Sequence, residues 1–280
     1  MLLNLNKIYK PATIEEAIAL LARSGTYPLY GGVALQRRKD PNVTAGVDMS
    51  LLDLGYVRDS ENSLRLGSML TLEQVRQACA ERGTDHPKLA GLAEVLAAEM
   101  PETLRNTMTL GDLLMERDPH SLTMTLFLAL GVIIKRLDID MHFTAGAWIG
   151  MINTDVTRYL LGHLRVTRGS RRAAVAFEKV SRTPADAPIV GAVVYTAQAE
   201  ADRTSFTTLA LCGVAPVPVR QPEVIRVLAE TGDMKRALDS LELDPPDDHL
   251  GSREYRAEMA RVVSRRVLER ARDAVSQHDD

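Results

Sequence analysis

Leu29-Tyr30-Gly31-Gly32-Val33-Ala34-Leu35 and, about eighty residues further on, Arg105-Asn106-Thr107-Met108-Thr109-Leu110-Gly111-Asp112-Leu113 are the two stretches that decide the fold. Both are turns built around glycine. A residue without a Cβ tolerates positive φ and lets the main chain approach a ligand, so successive N–H groups can converge on an anion as a nest. Gly31-Gly32 has that capacity. The competing reading is a plain tight turn between strand and helix.

Outward from the first turn, Thr13 and Glu16 have the spacing of a capping box, with Ala17, Ile18 and Leu21 on one helical face and Gly25 as a stop. With Tyr27-Pro28-Leu29-Tyr30 this reads as a small α/β unit. Leu64-Arg65-Leu66 alternates like a half-buried strand, and Thr71 with Gln74 repeats the capping spacing ahead of Leu72, Val75, Ala78 and Cys79. Cys79 reads as core packing. A helix is predicted from Pro87 to Met100, stopped by Pro101. Leu126–Leu130 and Val132–Ile134 read as a helix end and a strand behind the second turn. Residues 165–172 are polar and basic, a linker. Strands are predicted near 173–180, 189–198 and 206–214, then helices near 222–229 and 253–274, an α+β order of elements.

Further motifs lie along nearly the whole chain. They are Tyr9-Lys10-Pro11-Ala12-Thr13-Ile14-Glu15-Glu16-Ala17, Val47-Asp48-Met49, Leu66-Gly67-Ser68 with Thr71, Phe177-Glu178-Lys179-Val180-Ser181-Arg182 with Asp186, Gly213–Arg220 (G-V-A-P-V-P-V-R), and Gly251-Ser252-Arg253-Glu254-Tyr255-Arg256. In the same order, they resemble motifs of the flavoprotein (medium) subunit of molybdenum hydroxylases, the family of the carbon monoxide dehydrogenase medium chain and the xanthine dehydrogenase flavin domain. There the two turns usually read A-G-G-T-(D/N)-L and R-N-x-A-T-(I/L)-G-G-N and grip the FAD pyrophosphate.

The resemblance implies an α+β fold: a two-subdomain FAD-binding domain of the vanillyl-alcohol-oxidase/PCMH type (1–55 and 56–166), then an α+β C-terminal domain (173–280) with a three-stranded sheet plus helices. It implies FAD held by Tyr30, Gly31, Gly32, Val33, Ala34 and Leu35 from one turn and Thr109, Leu110, Gly111, Asp112 and Leu113 from the other, with Lys179. It also implies partners, an iron–sulfur subunit and a molybdopterin subunit, with electrons passing from [2Fe–2S] clusters through FAD to NAD, a quinone or oxygen.

Several ligand-facing positions depart from the family pattern. Val33 and Ala34 replace the usual polar pair, and Asp112-Leu113 replaces Gly-Asn. A carboxylate about 4 Å from a phosphate charge repels it by about 4 kcal/mol at an effective dielectric of about 20. Leu122 stands where the family often has an Asp, and Ala187 where some members have an aromatic. Lys179 and Arg182 can pair with Asp186 instead of serving a flavin. The alternative is therefore a flavin-free relative that keeps the fold as a docking, assembly or ligand-binding subunit.

The 280 residues exceed one minimal core, and the formal charge of −3 carries no basic footprint for nucleic acid. Arg37-Arg38-Lys39 reads as solvated loop charge. Cys79 and Cys212 cannot supply a four-cysteine cluster, so no metal is expected on this chain. The six histidines, His86, His120, His142, His163, His249 and His278, lack metal-ligand spacing, and Asp138 and Asp140 read as solvent-facing. No signal-type segment or apolar run of roughly twenty residues occurs, so a cytoplasmic location and no membrane span are expected. No catalytic residue stands out apart from the resemblance.

Overall fold

The structure, a computed structural model, describes residues 4–151, 154–184, 186–198 and 205–276; His278 lies outside them. Its elements begin with β1 (Lys7–Tyr9), α1 (Ile14–Leu21), β2 (Thr26–Leu29), α2 (Val33–Arg38), β3 (Ala45–Asp48), β4 (Val57–Ser60) and β5 (Ser63–Gly67). There follow α3 (Leu72–Glu81), α4 (Pro87–Glu99), α5 (Glu102–Thr107), α6 (Leu110–Glu116), α7 (Leu122–Leu130), β6 (Ile133–Arg136), β7 (Met141–Thr144), α8 (Ala145–Gly150) and β8 (Leu161–Thr167). The last are β9 (Ala173–Val180), β10 (Val190–Gln198), β11 (Ser205–Cys212), β12 (Val219–Arg220), α9 (Pro222–Thr231), α10 (Met234–Leu238) and α11 (Arg253–Ser276). The chain divides into two compact units.

The first unit draws on Met1–Ala78, Glu102–Arg117 and Val132–Val166. It holds a parallel sheet in the order β1-β3-β2 and a five-stranded sheet in the order β4-β5-β8-β6-β7. Thr13 caps α1, accepting from Glu16 N at 3.2 Å, but the Glu16 carboxylate accepts from Ala12 N at 2.9 Å rather than from Thr13. The Thr71–Gln74 box closes both ways, at 3.2 Å and 2.9 Å. Leu64 and Leu66 are fully buried while Arg65 points out, as strand alternation requires. Arg105 of the second turn donates from Nε to Glu73 Oε2 at 2.7 Å, and Arg76 holds the same carboxylate. The Arg76 hydrogen bonds first, then Arg105, pull Glu73 down to about 2.

Two expectations need correction in this unit. Asp138 is largely covered, because Arg136 and the Leu160 N–H (3.2 Å) both take its carboxylate; Asp140 is exposed as expected, paired with Lys135. Arg37 and Arg38 form the last turn of α2 rather than a loop, and Arg37 pairs with Glu116 at 2.9 Å.

The second unit draws on Cys79–Pro101, Asp118–Gly131 and Thr167–Asp280. Its antiparallel sheet runs β12-β11-β10-β9. That is one strand more than expected, since the Val217-Pro218-Val219-Arg220 segment returns to pair Val219 with Leu211 and Arg220 with Ala210. Val190, Ala192 and Val194 meet Val263, Val267 and Ala271 of α11 in one apolar cluster. On the other face α4 and α7 cover β9 and β10; a Cβ on Gly191 would lie 2.8 Å from a Leu122 methyl. Arg256 of the G-S-x-x-Y-R motif is fully buried, donating to Ile189 O and Gly213 O at 2.9 Å each and to Asp248 at 2.6 Å. The motif ties strand ends to the start of α11, a structural role.

Candidate functional site

The first turn follows from its two glycines. β2 ends at Leu29, and Gly32, at φ +85°, is the N-cap of α2, a conformation that L side chains rarely adopt. Tyr30, Ala34 and Leu35 point inward and are buried; Gly31 is exposed, and Gly32 and Val33 are half-buried. The side on which Gly32 would carry a Cβ is open.

The second turn folds through a reciprocal cap. Thr109 Oγ1 accepts from Asp112 N at 3.1 Å, and Asp112 Oδ2 accepts from Thr109 N at 3.2 Å and from Thr109 Oγ1 at 3.0 Å. Leu110 N and Gly111 N are also spoken for, donating to Leu70 O and Ser68 O at 2.8 Å each. Leu113 is 2% exposed and belongs to the core of the unit.

The two turns close on one another through side chains. Asp112 Oδ1 accepts from Ala34 N at 3.3 Å. A Cβ on Gly31 would lie 2.4 Å from Asp112 Oδ2, so the carboxylate occupies the space in front of that glycine. A Cβ on Gly111 would lie 2.3 Å from the Tyr30 ring, so the ring covers the second turn. The Tyr30 hydroxyl accepts from Leu161 N at 2.6 Å and donates to Tyr159 O at 3.4 Å. Asp112 is 2% exposed, and burial raises its pKa against the opposing pull of the Thr109, Ala34 and Val33 N–H groups.

Lys179 lies in the second unit. Its Nζ donates to Pro184 O (2.8 Å) and Asp186 O (3.0 Å), while the Asp186 carboxylate accepts from Thr183 N and Arg182 donates to His249 O. The expected side-chain pairing with Asp186 is thus replaced by backbone bonds. Leu122, also in this unit, is fully buried, and the first turn of α7 is held by Glu99, whose carboxylate accepts from Leu122 N at 2.9 Å and Thr123 N at 2.7 Å. Burial raises the Glu99 pKa. No local spacing connects Glu99 to residues 23 positions on, whereas Thr109-x-x-Asp112 is a readable capping spacing. Among the described residues no group of three or more His, Cys, Asp or Glu could hold a metal ion, and no helix is long and apolar enough to cross a membrane.

An α+β fold with paired glycine turns defines a class of flavoprotein-type scaffold, and residues 4–149 match the family model described as the FAD binding domain in molybdopterin dehydrogenase. The match spans just over half of the chain, and the chain belongs to this family. It is 25% identical over 288 residues to the caffeine dehydrogenase subunit beta of Pseudomonas sp. (strain CBB1), covering 95% of this chain and 94% of that protein. It is 27% identical over 286 residues to the carbon monoxide dehydrogenase medium chain of Afipia carboxidovorans, covering 94% and 96%. Among solved structures, a carbon monoxide dehydrogenase from Hydrogenophaga pseudoflava shares the fold at a TM-score of 0.84 and 20% identity, covering 96% of this chain and 98% of that one. Quinoline 2-oxidoreductase from Pseudomonas putida 86 does so at 0.79 and 19%, covering 97% and 98%.

FAD is the group this family implies. Its diphosphate needs free N–H donors and room beside the glycines, but the Ala34 N–H and the space on the Cβ side of Gly31 are taken by the Asp112 carboxylate. As they stand, these residues do not fit the diphosphate.

Proposed function

We infer that this chain fills the flavoprotein position of a molybdenum-hydroxylase complex, beside an iron–sulfur chain and a molybdopterin chain, with a degenerate grip on FAD. The observation that carries this reading is the likeness along the whole chain: both units take part, and the medium chain and subunit beta relatives match end to end. The chain keeps residues 150–280 beyond the family domain as well, which supports a docking role in such a complex. Affinity-tagged chain isolated from its native source is expected to bring down an iron–sulfur chain and a molybdopterin chain in fixed ratio. A chain that elutes alone as a monomer overturns the reading.

A second reading is favoured by one observation, the open side of Gly32 at positive φ, which leaves part of the nest facing solvent. In it the chain holds FAD through Tyr30 to Leu35 and Thr109 to Leu113, and electrons leave for NAD, a quinone or oxygen. That reading requires the Asp112 carboxylate to leave Ala34 or to be protonated. Stoichiometric FAD on the purified chain would support it.

A further inference from the structure

We propose that Asp112 is a built-in anion that takes the place of the cofactor's diphosphate, so that the carboxylate and FAD are mutually exclusive occupants of one nest. The inference uses the family reading above only in choosing FAD as the probe.

Three geometric facts converge on this assignment. The carboxylate bonds the Ala34 N–H in the first turn of α2, one of the donors that a nest at Gly31-Gly32 would offer a phosphate. It fills the space on the Cβ side of Gly31, 2.4 Å from the position of a Cβ there. It is anchored from behind by Thr109 N and Oγ1 at 3.2 Å and 3.0 Å, so it is held in place from both turns. The Tyr30 ring closes the other half of the grip by covering Gly111, where a second strip of backbone would have to stay bare. The turns therefore satisfy each other, and the family's fold closes without its cofactor. The chain's contribution to a complex is then structural, with no flavin on which to receive electrons.

The test is a titration of the full chain with FAD, followed by quenching of flavin fluorescence. It runs beside Asp112→Gly, Asp112→Gly/Leu113→Asn and Asp112→Asn, the last keeping the side-chain shape without the charge. Wild type is expected to show no saturable binding at micromolar FAD. The glycine variants are expected to tighten on the order of a hundred-fold to a thousand-fold, the factor set by removing a like charge close to a phosphate, and Asp112→Asn by at least several-fold. Wild type saturating stoichiometrically, or no gain in any variant that keeps its far-ultraviolet circular dichroism, overturns the proposal. Hydrogen exchange supplies a readout independent of FAD: the Ala34 amide is expected to be protected in wild type and fast in Asp112→Gly. An unprotected Ala34 amide in wild type overturns the proposal equally. Failure of the chain to co-purify with partners counts against the complex alone, and FAD uptake by wild type counts against Asp112 alone.

Discussion

Asp112→Ala is expected to destabilise the chain by about 2–3 kcal/mol near neutral pH. The figure follows from what the carboxylate holds. The N-cap of α6 is the Thr109 hydroxyl, whose bond from residue 112 N survives the substitution, so the cost falls on the groups that donate to the carboxylate. Thr109 N and Ala34 N, at 3.2 Å and 3.3 Å from the carboxylate, lose an acceptor in a buried place, at about 1–3 kcal/mol each and nearer the lower end for bonds this long. Relief of the carboxylate's own desolvation works in the other direction and trims the sum. At about 2–4 °C per kcal/mol for a chain of this size, the melting temperature falls by about 5–10 °C. Folded Asp112 binds its proton more readily than the unfolded chain, whose value is about 3.9. The proton-linked part of its contribution is therefore full below that value and falls as pH rises through the folded-state pKa, leaving the hydrogen bonds as what acts at neutral pH; Asp112→Asn removes the slope. Melting curves followed by circular dichroism between pH 4 and 8 read both effects. An Asp112→Ala melt within about 1 °C of wild type at pH 7, with the same pH slope, would refute the assignment of the carboxylate to the nest.

Other expectations follow from packing and charge. Arg256→Met strands the carbonyls of Ile189 and Gly213 and should cost about 3–5 kcal/mol in urea unfolding, with early proteolysis of the second unit. Glu73, held down to about 2 by Arg76 and Arg105, contributes stability that is present above its unfolded value of about 4.3 and lost as pH falls toward 2. In Glu73→Gln that acid-side loss should disappear from pH-dependent melts. Gly111→Ala drives a methyl into the Tyr30 ring and should cost about 1–3 kcal/mol. Tyr30→Ala should offset much of that in the double variant, measured as a coupling energy in a double-mutant cycle; simple additivity would place the ring elsewhere.

Much of the fold was legible because its signals are local. The Thr71–Gln74 cap, the Leu64/Leu66 alternation and the β-branched run of β10 each report on residues a few positions apart, and strand 173–180 matches its expected bounds. Asp112 illustrates the opposite case. Set against a ligand it reads as a clash with phosphate, whereas its spacing from Thr109 is also that of a capping residue, and the structure joins the two by turning the carboxylate inward to Ala34. That last bond spans 78 positions, so no local pattern could report it. Glu99 at the start of α7 and Asp138 beneath Arg136 were misjudged or missed for a related reason: each carboxylate is buried by partners that only the tertiary fold supplies. β12 was missed because two residues are too few to show any period.

The flavin content of the protein as its native source makes it tests the central claim most directly. Purified without added cofactor, alone or with its partner chains, this subunit should show no flavin absorbance bands and release no FAD on acid denaturation. A subunit that carries stoichiometric, acid-releasable FAD would contradict the account, because the diphosphate and the Asp112 carboxylate cannot share the Ala34 N–H and the space beside Gly31.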